Sequence, residues 1–162
     1  MTTIFGARAL RTASVVVAVL LAAAAAAQQR EGGPFTTEIR RLKEGLYVIP
    51  GYDGAVTGGN VAVRVTSAGV LIVDDRLATS PDEIKAKVRS VTNQPIKYVL
   101  SSHHHADHTG GNAGFINTAE IVAQENNRAN MVRANLSSPP RVVFADHTAV
   151  FLGDVPVQMW HF

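Results

Sequence analysis

SSHHHADHTGGN, residues Ser101 to Asn112, places four metal-competent side chains within six residues: His103, His105, Asp107 and His108. The spacing is His-x-His-x-Asp-His, and the run follows an apolar, strand-like stretch, Ile96-Lys97-Tyr98-Val99-Leu100. Side chains at i and i+2 of an extended segment point the same way. His103 and His105 can therefore reach one cation together, with His104 turned away to the surface or to a supporting position. Asp107 and His108 come after the chain has bent, so they can face a neighbouring position. Imidazole and carboxylate are good zinc ligands, and tetrahedral zinc takes three or four of them. Two metals roughly 3.5–4 Å apart can share an attacking hydroxide and hold a substrate oxygen. The pattern predicts a site of one or two zinc ions, with iron or manganese as the next candidates for such ligands.

A histidine-rich solvated loop, or an adventitious cation site, is the bland alternative. The added Asp-His, the position at a strand end and the following Thr109-Gly110-Gly111-Asn112 argue against it. Small residues there let the backbone pass close to the site. Asp74 and Asp75 end another strand. They either orient the metal loop as supporting carboxylates or simply form a strand-end turn. His147 and His161 fall on expected strands, where a structural role is the expectation.

Outward from the loop, the chain reads as mixed sheet and helix. Leu46 to Ile49 is strand-like and stops at Pro50-Gly51. Val61 to Thr66 and Val70 to Val73 form a hairpin about Ser67-Ala68-Gly69. The unbroken apolar run of the second strand predicts burial on both faces. Ser80-Pro81-Asp82-Glu83 is a helix start, with Ser80 as cap, Pro81 in the first turn and Glu83 completing a capping box. Ile84, Val88 and Val91 then make one apolar stripe. Residues 110–117 suggest a short helix, 120–123 a strand and 124–134 a helix. Strands are expected at 142–144, 147–152 and 155–162, with a turn at Gly153-Asp154. The fold class is α/β (α+β), in layers.

The first 27 residues have the layout of a secretory signal peptide: Arg8 and Arg11, an uncharged apolar stretch, and Ala25-Ala26-Ala27 before Gln28. An uncleaved anchor is the alternative, but the stretch is short against the ~20 residues a span needs. The protein is expected to be periplasmic or secreted, with no stable membrane association after cleavage. Residues 28–37 form a flexible lead, and 38–162 the domain. The chain has no cysteine, so neither a disulfide framework nor a lipid-bearing cysteine is available. The formal net charge of +2 comes wholly from Arg8 and Arg11, leaving residues 28–162 neutral. No basic patch points to nucleic acid.

The segment from Ser102 to Asn112 resembles the metallo-β-lactamase superfamily, whose signature is Thr/Ser-His-x-His-x-Asp-His followed by Thr-Gly-Gly-Asn. Gly45-Leu46-Tyr47-Val48, Gly59-Asn60-Val61 and Gly69-Val70-Leu71-Ile72-Val73-Asp74 match its context. The resemblance implies an αβ/βα sandwich with metals at one edge of its two sheets. It implies that His103 and His105 bind a first zinc, that Asp107 and His108 bind a second, and that Asp107 orients or deprotonates the attacking water. The implied activity is hydrolysis of an ester, thioester or amide (a β-lactam among them) of a small-molecule substrate by metal-bound hydroxide. The family's third histidine, bridging aspartate and last histidine are expected beyond residue 162. The chain thus reads as the N-terminal half of the sandwich, incomplete before its C-terminal half. Exposed sheet would then favour self-association. The competing functional readings are a non-catalytic metal-binding remnant of such an enzyme, and an assembly module pairing through exposed strands.

Overall fold

The computed structural model describes residues 38–51 and 58–162, all within one unit, Thr36–Phe162. The expected signal peptide and the lead 28–37 lie outside the described residues. Seven strands lie side by side in chain order: β1 (Arg40–Lys43), β2 (Leu46–Ile49), β3 (Val61–Thr66), β4 (Gly69–Val73), β5 (Ile96–Ser101), β6 (Glu120–Gln124) and β7 (Val142–Phe144). β1 to β4 pair antiparallel, and β4 to β7 pair parallel. The parallel pairs need crossovers, and helices supply two of them. These are α1 (Pro81–Arg89) between β4 and β5, and α3 (Glu125–Arg133) between β6 and β7. A short helix, α2 (Ala106–Thr109), and a 3₁₀ turn (Gly110–Gly114) follow β5. β8 (His147–Leu152) and β9 (Val155–Trp160) form a separate two-stranded sheet.

Alternation along the central strands explains the layers. Val70 and Ile72 of β4 join Val99, Ile121, Ile84, Val88 and Phe115 in one buried cluster on the helix side. Leu71 faces the other way, with Leu100, Val122, Val150 and Leu152, against the β8–β9 hairpin. The apolar run of β4 is thus buried on both faces, as expected. Each such side chain contributes about 1.5–3 kcal/mol of burial. Among the described residues no helix is long and apolar enough to cross a membrane.

Three expectations need correction. Ser80 does not cap α1 through its side chain: its backbone is helical (φ −93°, ψ −17°), not extended as a cap requires. A turn from Leu77 O to Ser80 N winds the chain before the helix begins. Glu83 then pairs with Lys87 at 2.7 Å instead of closing a capping box. The short helix expected at 110–117 is a 3₁₀ turn over Gly110–Gly114, with the one-turn α2 preceding it at Ala106–Thr109. β9 ends at Trp160, its ladder closing on the His147–Trp160 pair, so His161 lies past the strand. β1 was not foreseen.

Candidate metal centre

β4 and β5 run parallel, with Val73 beside Leu100, so the loops that leave them emerge at one edge of the sheet. In open α/β sheets the carboxyl ends of strands are where sites form. Asp74 leaves β4 with φ +64°, a left-handed backbone uncommon outside glycine. Its amide donates to Leu100 O at 2.9 Å. This turn sends the carboxylate over the start of the histidine loop.

Asp74 is the hub. Oδ1 accepts the Ser102 N–H at 2.8 Å, and Oδ2 accepts the Ser102 hydroxyl at 2.7 Å. Oδ2 also lies 2.8 Å from His108 Nδ1. A carboxylate only accepts, so His108 carries its proton on Nδ1. The Ser102 hydroxyl, its proton given to Asp74, lies 3.0 Å from His103 Nδ1 and accepts from it. Both imidazoles therefore keep Nε2 free as a donor atom. A partner on the far nitrogen that fixes tautomer and ring direction is the usual support of a metal-ligating histidine.

α2 closes the loop in one turn. His105, extended at φ −63° and ψ 146°, stands at its N-cap. Its carbonyl accepts the amides of His108 (3.0 Å) and Thr109 (3.1 Å), with the buried Thr109 hydroxyl at 3.1 Å. This turn brings the rings together. The His103 centroid lies 4.0 Å from that of His108 and 4.9 Å from that of His105. His104 meets His105 edge-on, with centroids 4.8 Å apart. Asp107, half exposed, turns its Oδ2 to within 3.3 Å of His108 Nε2. Partial burial, then the neighbouring His108, pushes the His103 imidazole below its ordinary value, which keeps it neutral and ready to donate.

The four sequence-predicted residues thus meet in one patch, in which the rings of His103 and His108 are the closest pair of imidazoles. His147 and His161 do not join it. His147 stacks on Trp160 at 3.9 Å, and the His161 amide donates to Asp146 O. Among the described residues no three His, Asp or Glu side chains stand as placed to hold a metal ion. Asp107 is turned onto His108, and the rings pack on one another. The donor chemistry nevertheless fits a cation. With Nδ1–H committed to Asp74, the Nε2 lone pair of a neutral His108 faces the Asp107 carboxylate, acceptor against acceptor. That contact is favourable only with a positive charge there, either a proton on Nε2 or a cation between them.

Asp75 braces the loop from below. Its amide donates to His108 O at 2.9 Å, and its Oδ1 accepts the Gly111 amide at 3.0 Å. A Cβ at Gly111 would collide with the Asp75 carbonyl oxygen, so only glycine fits. Oδ2 is buried without a partner. Burial raises the Asp75 carboxyl to about 8; the Gly111 hydrogen bond opposes the rise and the Asp74 charge adds to it. Ser102 opens the signature in the sequence, but its bridge from Asp74 to His103 was not foreseen.

An apolar cleft of about 230 Å³ opens beside α2, lined by Leu77, Ala78, Ala106, Thr109 and Leu136 among others. A larger one, about 360 Å³, lies between α1 and Phe115, and no residue of the histidine cluster lines it.

Residues 55–130 match the sequence model of the metallo-beta-lactamase superfamily. No curated protein matches the chain. Among solved structures, a metallo-beta-lactamase from Pontibacter korlensis is similar at a TM-score of 0.64 and 19% identity, over 76% of this chain and 59% of that one. A metallo beta lactamase from Hirschia baltica is similar at 0.57 and 20%, over 70% and 56%. One from Erythrobacter litoralis is similar at 0.59 and 20%, over 70% and 53%. The chain spans a little over half the length of these relatives, and at these identities the likeness is one of fold.

Proposed function

We propose, from the match of residues 55–130 to the metallo-beta-lactamase superfamily, a family of metal-dependent hydrolases, that the chain serves a zinc-dependent cleavage of an ester, thioester or amide in a small molecule. The observation that carries the reading is the Ser102–Asp74–His108 network. One carboxylate leaves the Nε2 atoms of His103 and His108 free as donors, and Asp107 waits opposite the second. His103 and His105 would hold one zinc, and Asp107 and His108 a second. Zinc supplies acidified water, with a pKa of about 7, and a Lewis acid for the carbonyl.

The chain's own residues do the rest. Asp74 and Ser102 fix the two tautomers. Asp107, half exposed beside His108, orients the attacking water and accepts its proton. The cleft beside α2 offers an apolar wall to the substrate. Zinc titration of the full chain by calorimetry, beside turnover of nitrocefin and of a thioester, tests the proposal. Binding and turnover that both fall in His103→Ala and Asp107→Ala support it, by the 10²–10⁴-fold a positioned acid–base group is worth in rate, as an order of magnitude. Zinc binding with no turnover supports instead a non-catalytic metal-binding role, and no zinc binding sinks both.

Two further parts of the proposal concern place and partners. Residues 1–27 would direct export to the periplasm or medium; an exported product that still begins at Met1 by mass would refute cleavage. A second copy is the partner that the outward side of β8–β9 offers, where Phe151 and Trp160 are 62% and 57% exposed. Sedimentation at rising concentration reads this out.

A further inference from the structure

We infer that Arg76 is a positioning residue, whose buried guanidinium presses Gly59 against the imidazole of His108 and so sets where that ring lies. Arg76 is fully buried, 0% exposed, two residues past Asp74. Its Nε–H donates to Gly59 O at 2.9 Å; Nη2 donates to Ile49 O at 3.0 Å and to Pro50 O. One planar fork thus binds the end of β2 and the approach to β3 at once. Among the described residues the nearest carboxylate is that of Glu83, 3.9 Å from Nη1 and partly exposed, and the hydrogen bonds of the cation go to backbone carbonyls. A buried charge without a close counter-ion is costly, and an apolar side chain of similar length would fill the space without that cost. A lysine, with one compact ammonium, cannot span the same three acceptors.

The clamped strand lies against the histidine cluster. The Gly59 amide donates to Asp107 O at 3.2 Å. A Cβ on Gly59 would stand 2.7 Å from His108 Cε1 and 3.2 Å from each ring nitrogen. No other residue type fits between the clamp and the ring. The backbone of Arg76 reaches the same loop from its other side, where its carbonyl accepts the Gly111 amide at 3.0 Å. Arg76 itself sits at φ +64°, off the usual regions for a bulky residue. Such strain is held only where the surroundings over-determine it. His108 is thus gripped between Asp74, which fixes its nitrogen, and Gly59, which fixes its face.

The placement of His108 stands on these contacts alone; its consequence for cation binding rests on the metal-centre reading. The test uses the full chain as Arg76→Lys, Arg76→Met and Gly59→Ala, with Val88→Ala as a core variant remote from the loop. Long-range ¹H–¹⁵N spectra of the histidine rings in metal-free protein report the Nδ1–H of His108, and calorimetry reports zinc affinity. Expected are displaced His108 resonances in Arg76→Lys and Gly59→Ala. Their zinc affinity should fall about 10- to 100-fold, as when outer partners of a ligand are lost. Val88→Ala should lower the melting temperature and leave both readouts unchanged.

His108 resonances that match the wild type in folded Arg76→Lys, or in Gly59→Ala, would overturn the inference. So would equal displacement in Val88→Ala. If the arginine variants fail to fold, Gly59→Ala decides, because it leaves the guanidinium in place. A wild type that binds no zinc fails the metal reading alone, and the ring resonances still judge Arg76.

Discussion

Asp75 shows how a single buried carboxyl sets a pH dependence. Its native pKa of about 8 lies far above the ordinary 3.8. Between those values the folded chain binds a proton that the unfolded chain has released, so stability falls as pH rises. The contribution is fully present below about pH 4, is lost through about pH 8 and levels off above. Asp75→Asn keeps the acceptor for the Gly111 amide and carries no charge. With chelator present, its unfolding free energy from urea melts should exceed that of the wild type at pH 9, by an amount on the order of a few kcal/mol, and converge with it near pH 4. A difference that stays constant across that range would refute the assignment. The sequence displayed the histidines and Asp107 but not this brace, because a strand-end Asp-Asp pair reads equally as a turn. It also hid Arg76: nothing in Asp74-Asp75-Arg76 distinguishes a buried fork from a solvated charge until β2 and β3 are placed beside it.

At the level of elements, the legible parts were those whose side chains carry a period. β3, β4 and β5 announce themselves by apolar runs, and α1 by Ile84 and Val88, which the structure buries. β1 (Arg-Arg-Leu-Lys) has no such signal, since all four residues are exposed. It exists through pairing with β2, and its charges suit an edge strand that must not recruit another chain. Capping is where local pattern misled. Ser80 makes no cap bond, whereas Gln124 accepts the Asn126 amide at the start of α3 and donates to Ala145 O at 3.0 Å. Ser80→Ala should therefore cost less than the ~1 kcal/mol typical of a lost cap, and Gln124→Ala at least that much. Urea melts of the two variants check the order.

Across the whole molecule, the β8–β9 hairpin has two unlike sides. Val150 and Leu152 are buried against Leu71, Leu100 and Val122, while Phe151 and Trp160 face outward. Phe151→Ser should reduce concentration-dependent association in sedimentation runs and leave the unfolding free energy within about 0.5 kcal/mol of wild type, as for a surface change. An unchanged sedimentation profile would remove that face from any self-contact. The α/β layering could be foreseen from the alternation of hairpins and helices. The hairpin's docking could not, because its alternating residues are apolar on both sides and do not say which side is covered. The order of the large sheet, β1 through β7 without a transposition, bears on how the chain folds. Each strand adds to the one made just before it, so no early segment waits for a late one to complete its hydrogen bonds. Contacts of short sequence separation close with little loop entropy and favour fast folding. A chain emerging from its N-terminus can thus assemble this sheet progressively, and the hairpin docks after it on a surface already built.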